Sequence, residues 1–162
     1  MAKKLIGSDD GISNVPITQS YISYGRFVAL ASGNMTQFLA KANSSANFKV
    51  GIYTDVGGSL GTLMAGGMNS TAVSPGWNTI PFVSTPLTLG TYYWLAINCD
   101  TYNAVGCASA GGTAYYAALS YSSNFPTTPS GLYSVTWNLL IAGWGIKTNS
   151  GNPVSFGNFM QV

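Results

Sequence analysis

Hydrophobic and polar positions alternate over short stretches of this chain, and each stretch closes on Gly, Pro, Asn or Asp. Phe48, Val50 and Ile52 alternate with Lys49, Gly51 and Tyr53, the two-residue period of a half-buried strand. The period is strongest from Thr91 to Asn98, where Tyr93, Leu95 and Ile97 face one way and Tyr92, Trp94 and Ala96 the other. Both of those faces are apolar, which predicts a central strand. Further strands are expected at Tyr21 to Ala31, Met35 to Ala42, Leu60 to Ala65, Trp77 to Val83, Ala114 to Tyr121, Leu139 to Lys147 and Val154 to Val162. Asn69 to Val73 is a shorter candidate. Asp55 to Ser59 reads as a turn, with Gly57-Gly58 supplying positive φ. Pro81 cannot donate to a ladder, so its strand belongs at an edge or carries a bulge there. Cys99 to Gly112 and Asn124 to Gly131 read as loops, the second a long surface loop with Pro126 and Pro129. No segment keeps a 3.6-residue period over a helical length. About ten short antiparallel strands with turns between them predict an all-β sandwich.

The length, 162 residues, suits one domain with a sizeable core. Residues 1–19 lack a sustained period and contain Gly7, Asp10-Gly11 and Pro16. They are expected to form an N-terminal arm or lead-in that packs on a neighbouring subunit or on the scaffold beneath, through Leu5, Ile6, Ile12, Val15 and Ile17. Residues 20–162 form the single sandwich domain.

Charge changes the picture of the surface. Only 6% of residues are charged, against about 25% in an ordinary soluble domain. The acids are Asp9, Asp10, Asp55 and Asp100, and the bases Lys3, Lys4, Arg26, Lys41, Lys49 and Lys147. The exterior must therefore be built from Ser, Thr, Asn, Gly and Tyr. Such a surface has little repulsion to hold copies apart, so contact with copies of the chain or with another surface is expected. A net charge of +2 with no basic cluster beyond Lys3-Lys4 argues against nucleic acid as a partner. No apolar run reaches the roughly 18 residues of a membrane span. Met1 to Asp10 lacks the apolar core of a secretory leader, while the composition looks extracellular. A virion protein, made in a host cytoplasm and working outside it, reconciles the two; an extracellular protein is the alternative.

The missing residue types narrow the chemistry. Without His or Glu there is no Ser-His dyad, no His-ligated zinc and no Glu general acid. A non-enzymatic protein with no catalytic residues, no cofactor and no metal is expected. Asp55 and Asp100 are the only candidates for a calcium site, but Asp55 precedes a Gly-Gly turn and is better read as capping it. Cys99 and Cys107 flank a short loop and either form a disulfide or remain two thiols. Ten Tyr, seven Phe and four Trp exceed what one core needs. Trp77, Trp94, Trp137 and Trp144 are expected in the core or its seams. Tyr102, Tyr116, Tyr121, Tyr133 and Trp137 are the candidate contact aromatics, serving protein interfaces or sugar stacking.

Four motifs stand in order: Ile52-Tyr53-Thr54-Asp55, Ser59-Leu60-Gly61-Thr62-Leu63, Gly76-Trp77-Asn78-Thr79 and Leu87-Thr88-Leu89-Gly90-Thr91-Tyr92-Tyr93-Trp94-Leu95-Ala96. This series, about a third of the chain, resembles a jelly-roll type of β-sandwich found in phage virion decoration or fibre proteins and in carbohydrate-binding-like extracellular modules. The resemblance implies a jelly-roll-like fold. Together with the surface, it implies a structural subunit of a virus or phage particle, in contact with copies of itself and with a capsid or tail protein. The alternatives it leaves open are a carbohydrate-binding module with a glycan as partner, and a secreted adhesin or filament subunit.

Overall fold

The computed structural model describes residues 1–10, 19–102, 104–108 and 111–148, and it is an all-β antiparallel sandwich. Among the described residues there are thirteen strands and no helix. They are β1 (Lys3–Gly7), β2 (Tyr21–Val28), β3 (Gly33–Ala42), β4 (Ala46–Val56), β5 (Ser59–Gly66), β6 (Thr71–Val73) and β7 (Gly76–Leu87). These are followed by β8 (Tyr92–Cys99), β9 (Cys107–Ala108), β10 (Ala114–Ala118), β11 (Tyr133–Val135), β12 (Asn138–Leu139) and β13 (Ile141–Lys147). The small sheet runs β1-β13-β3-β7, and the large sheet β11-β10-β2-β8-β4-β5 with β6 also paired to β4. A ribbon of β12 and β9 stands beside them. The count exceeds the expected ten through β1, β9, β11 and β12: the last three are two or three residues long, too short to show a period, and β1 lies within the expected arm. The expected strand from Val154 to Val162 lies outside the described residues.

The central strand is where its two apolar faces require it. β8 lies between β2 and β4, with Tyr93, Leu95, Ile97 and Cys99 in the core between the sheets. Val50, Ile52, Phe48, Phe38, Ile80 and Ile141 complete that core. The opposite face of β8 carries Trp94 and Ala96 into a second apolar cluster with Ile22, Tyr24, Tyr53 and Phe125. Phe125 belongs to the segment 119–132, which corrects two expectations. That segment is not a plain surface loop but a strap laid over the outer face of the large sheet. In consequence β4 is not half-buried: Lys49 is 7% exposed and Tyr53 is fully buried.

Hydrogen bonds fix the strap at intervals. Leu119 N–H donates to Ser20 O, Phe125 N–H to Gly67 O, and Leu63 N–H to Thr127 O, at 2.9–3.1 Å. The Tyr53 hydroxyl donates to Pro126 O at 2.9 Å. The Lys49 ammonium donates to Tyr121 O and Ser123 O at 2.7 and 3.3 Å and lies 4.8 Å from the Tyr121 ring centroid. Burying an ammonium is costly unless its donors are satisfied, and these carbonyls and the ring supply that.

The edges follow the chemistry of their residues. β7 is an edge strand, as Pro81 requires, and the register also slips at Met35/Gln37, next to the Gln37–Pro81 pair. The turn after β4 uses Gly57 and Gly58 at φ 60° and 92°.

The N-terminal expectation needs correction for its first part. Lys3–Gly7 is an edge strand of the small sheet, paired antiparallel with β13, and Leu5 and Ile6 are fully buried in the main core. The sequence hid this because a five-residue strand with a register shift between Lys4 and Ile6 buries two adjacent apolar residues instead of alternating ones. Residues 11–18, the rest of the expected arm, lie outside the described residues.

Candidate functional site

Three of the five nominated aromatics converge. Tyr116 on β10 is paired across the strands with Tyr133 on β11, and their rings stack with centroids 5.2 Å apart at 21°. The Tyr116 ring also stacks on Trp137, at 5.6 Å and 13°. Tyr21 on β2 meets Tyr116 edge-on at 5.5 Å. The array runs outward from the core, since Trp137 packs on the main cluster and Tyr133 is 60% exposed. Sequence reasoning missed Tyr21. Tyr21 is opposite Ala118, two residues along from Tyr116, and that diagonal placement follows from the pairing of two strands some ninety residues apart, which no local pattern encodes. Offset stacking between neighbours uses the ring faces of Tyr116, so the array is a rigid ladder with one exposed end rather than a row of open faces.

Tyr102 and Tyr121 stand elsewhere. Tyr102 is 61% exposed on the loop after β8. Tyr121 begins the strap, and its hydroxyl shares a hydrogen bond of 2.5 Å with Ser70 Oγ. Beside it opens a cleft of about 590 Å³ lined by Gln19, Ser20, Asp100, Ala118, Leu119, Ser120 and Tyr121. Asp100 is pinned to the start of β4. Its Oδ1 accepts from the Asn47 N–H at 2.7 Å and the Thr101 hydroxyl at 2.9 Å, and its Oδ2 from the Asn47 side-chain amide at 2.6 Å. Burial opposes the charge on Asp100, but these hydrogen bonds outweigh it and hold the carboxyl below its usual range.

Asp55 does cap its turn, and it does more than that. Its Oδ2 accepts from the Gly58 N–H at 3.0 Å. Arg26 grips both oxygens, Nε to Oδ1 at 2.6 Å and a terminal nitrogen to Oδ2 at 3.1 Å. The Trp94 indole N–H donates to Oδ1 at 2.9 Å. Arg26 in turn lies over the Tyr92 ring, 3.9 Å from its centroid. This node ties β2, β4 and β8 together at one end of the large sheet. The sequence holds the signal that Arg26 is the one charge in its strand and Asp55 the one acid in its own, but not that they meet.

The Arg26 hydrogen bond is the main cause holding the Asp55 carboxyl below its usual range, with Gly58 and Trp94 adding to it against burial. A depressed folded-state value means the stabilisation is present above the ordinary carboxylate range and is lost as pH falls through the folded value. Asp55→Asn is therefore expected to cost about 1.5–3 kcal/mol at neutral pH, the range for a hydrogen bond to a charged group. Thermal melts from neutral pH into acid should show the variant and the parent converging on the acid side. A constant offset at every pH would disprove the charge-based account.

Cys99 and Cys107 are both buried thiols in the main core rather than a disulfide. Each lies on a strand, Cys99 ending β8 and Cys107 paired with Leu139. Cys99 Sγ donates to Thr101 O at 3.2 Å. Burial pushes the Cys99 thiol up to about 11 and the Cys107 thiol up to about 12. Thiolate is the reactive form, so a thiol reagent at neutral pH should label neither until denaturant is added. Fast labelling of the native protein would contradict the burial.

No family model matches the chain, and neither a curated protein nor a solved structure matches it.

Proposed function

We propose that the chain is a non-enzymatic structural subunit of a virus or phage particle: a capsid decoration, cement or fibre component. It works through contacts with copies of itself and with a capsid or tail protein. One observation carries the reading. On a nearly uncharged exterior, Leu30, Val56, Met68, Val83, Leu89 and Ile146 are each more than half exposed. Apolar side chains gathered into a contiguous patch are normally covered by a partner, and these six are the residues this reading places at the contact. The sandwich itself is compatible with the jelly-roll resemblance. Pairing along β7 or β11 is disfavoured as the assembly mode, because Pro81 and Pro86 interrupt the donors of β7 and β11 is only three residues long. In this reading faces and loops make the contact, with the Tyr133 end of the aromatic ladder among them.

Asp55 and Asp100 are committed to fixed hydrogen-bond partners, which supports a role without turnover. The virion is the expected location, with release from the host cytoplasm at assembly. Light scattering coupled to size exclusion tests the proposal. A concentration-stable oligomer is expected, weakened when Leu89 and Val83 are replaced by Ser. A monomer throughout the micromolar range would overturn it.

A further inference from the structure

We propose that the cleft beside Asp100 is a binding site for a saccharide. This goes beyond the assembly reading and does not depend on it. The volume, about 590 Å³, lies within the range of small-ligand sites and is far larger than a single ammonium or metal ion needs. Its lining combines one aromatic ring, that of Tyr121, with one carboxylate and the neutral polar groups of Gln19, Ser20 and Ser120.

Each element has a counterpart in a sugar. A pyranose offers an apolar C–H face to a ring and hydroxyls to acceptors around its rim. An ionised carboxylate is the strongest acceptor a hydroxyl can find, and such charge-assisted bonds are about twice as strong as neutral ones. Asp100 is preorganised for this task. Among the described residues, Asn47 and Thr101 place two donors on Oδ1 and one on Oδ2. A carboxylate has about four lone-pair sites, so Oδ2 keeps acceptor capacity while the group stays fixed. Tyr121 is likewise immobilised, by Ser70 at its hydroxyl and by the Lys49 ammonium over its ring. Neither of these two groups has to be ordered at the moment of binding, which limits the entropic cost.

The surroundings argue against a basic peptide as the occupant. Among the described residues the only charge lining the cleft is Asp100, and three of the other lining groups are neutral hydroxyl or amide side chains. The aromatic ladder is a poorer sugar site, because its ring faces are turned on one another.

The test uses the whole chain and methyl glycosides of glucose, galactose, mannose and N-acetylglucosamine as probes. Amide shifts followed by NMR during titration are expected to move at Ser20, Ser120 and Tyr121 for at least one glycoside, saturably. Asp100→Asn should weaken that binding about tenfold or more, the loss of one charge-assisted bond. Ser120→Val, at an exposed position, should weaken it by a smaller factor while leaving the melting temperature unchanged, so the result survives if Asp100→Asn fails to fold. No saturable shift with any glycoside, or shifts confined to the aromatic ladder, would overturn the proposal. The oligomer measurement is separate, so either idea fails without the other.

Discussion

Removing residues 1–7 is expected to leave a protein that is largely unfolded or severely destabilised. Leu5 and Ile6 are both fully buried between the sheets. Burying each is worth about 1.5–3 kcal/mol, or about 3–6 kcal/mol for the pair. The ladder to β13 and one further bond go as well, Leu30 N–H to Leu5 O at 2.7 Å. A domain's whole stability is about 5–15 kcal/mol, so the loss is a large part of it. Losing β1 also bares β13, whose Ile141 and Gly143 face the core. Denaturant titration of the truncated and full chains measures the effect. An unchanged midpoint would mean that Lys3–Gly7 is a detachable arm after all and that its pairing with β13 adds nothing.

Phe125→Ala should be the most damaging single substitution in the strap, at about 3–5 kcal/mol, the range for emptying a buried aromatic site. The phenyl ring sits in a notch made by two glycines. A Cβ on Gly67 would stand 2.4 Å from the Phe125 Cβ, and one on Gly51 would stand 2.9 Å from its ring. Gly67 also adopts φ +80°, which side chains resist. Gly67→Ala is therefore expected to be costly on its own. In the double variant the contacts with the ring atoms, 2.6 and 2.9 Å from that Cβ, disappear while the one with the Phe125 Cβ remains, so the two costs should add to somewhat less than their sum. The fluorescence of Trp94, under the same cover, reports whether the strap has lifted while the sandwich stays folded. Strict additivity would mean that the ring and the notch do not depend on one another.

The two effects show where local pattern was a sufficient guide and where it was not. Residues that alternate over several positions were legible: Val50, Ile52, Tyr93, Leu95, Ile97, Ile80 and Ile141 are buried as their period implies. Leu63, Phe82 and Leu119 are only partly buried, because they lie at the margins of the two clusters. Among the tryptophans, Trp94 is fully buried, Trp137 and Trp144 are partly buried, and Trp77 is 38% exposed on the edge strand. An edge strand lacks a neighbour to cover its outer side chains, and that position is a fact of topology.

The sequence by itself determined the all-β class, the central place of β8, the edge place of β7, the Gly57-Gly58 turn and the scarcity of charge. All of these are local: a two-residue period, a missing N–H, a positive φ, a count of ionisable groups. The tertiary structure alone decided that Leu5 and Ile6 enter the core and that residues 119–132 fold down over the large sheet. It also decided that Lys49 is buried beneath that strap, that Arg26 grips Asp55, and that Tyr21 joins Tyr116, Tyr133 and Trp137. Each of these rests on partners far apart in the chain, twenty-nine residues in the case of Arg26 and Asp55. Such pairings are chosen by which surfaces remain to be covered once the sheets have formed, and no short stretch of sequence records that choice.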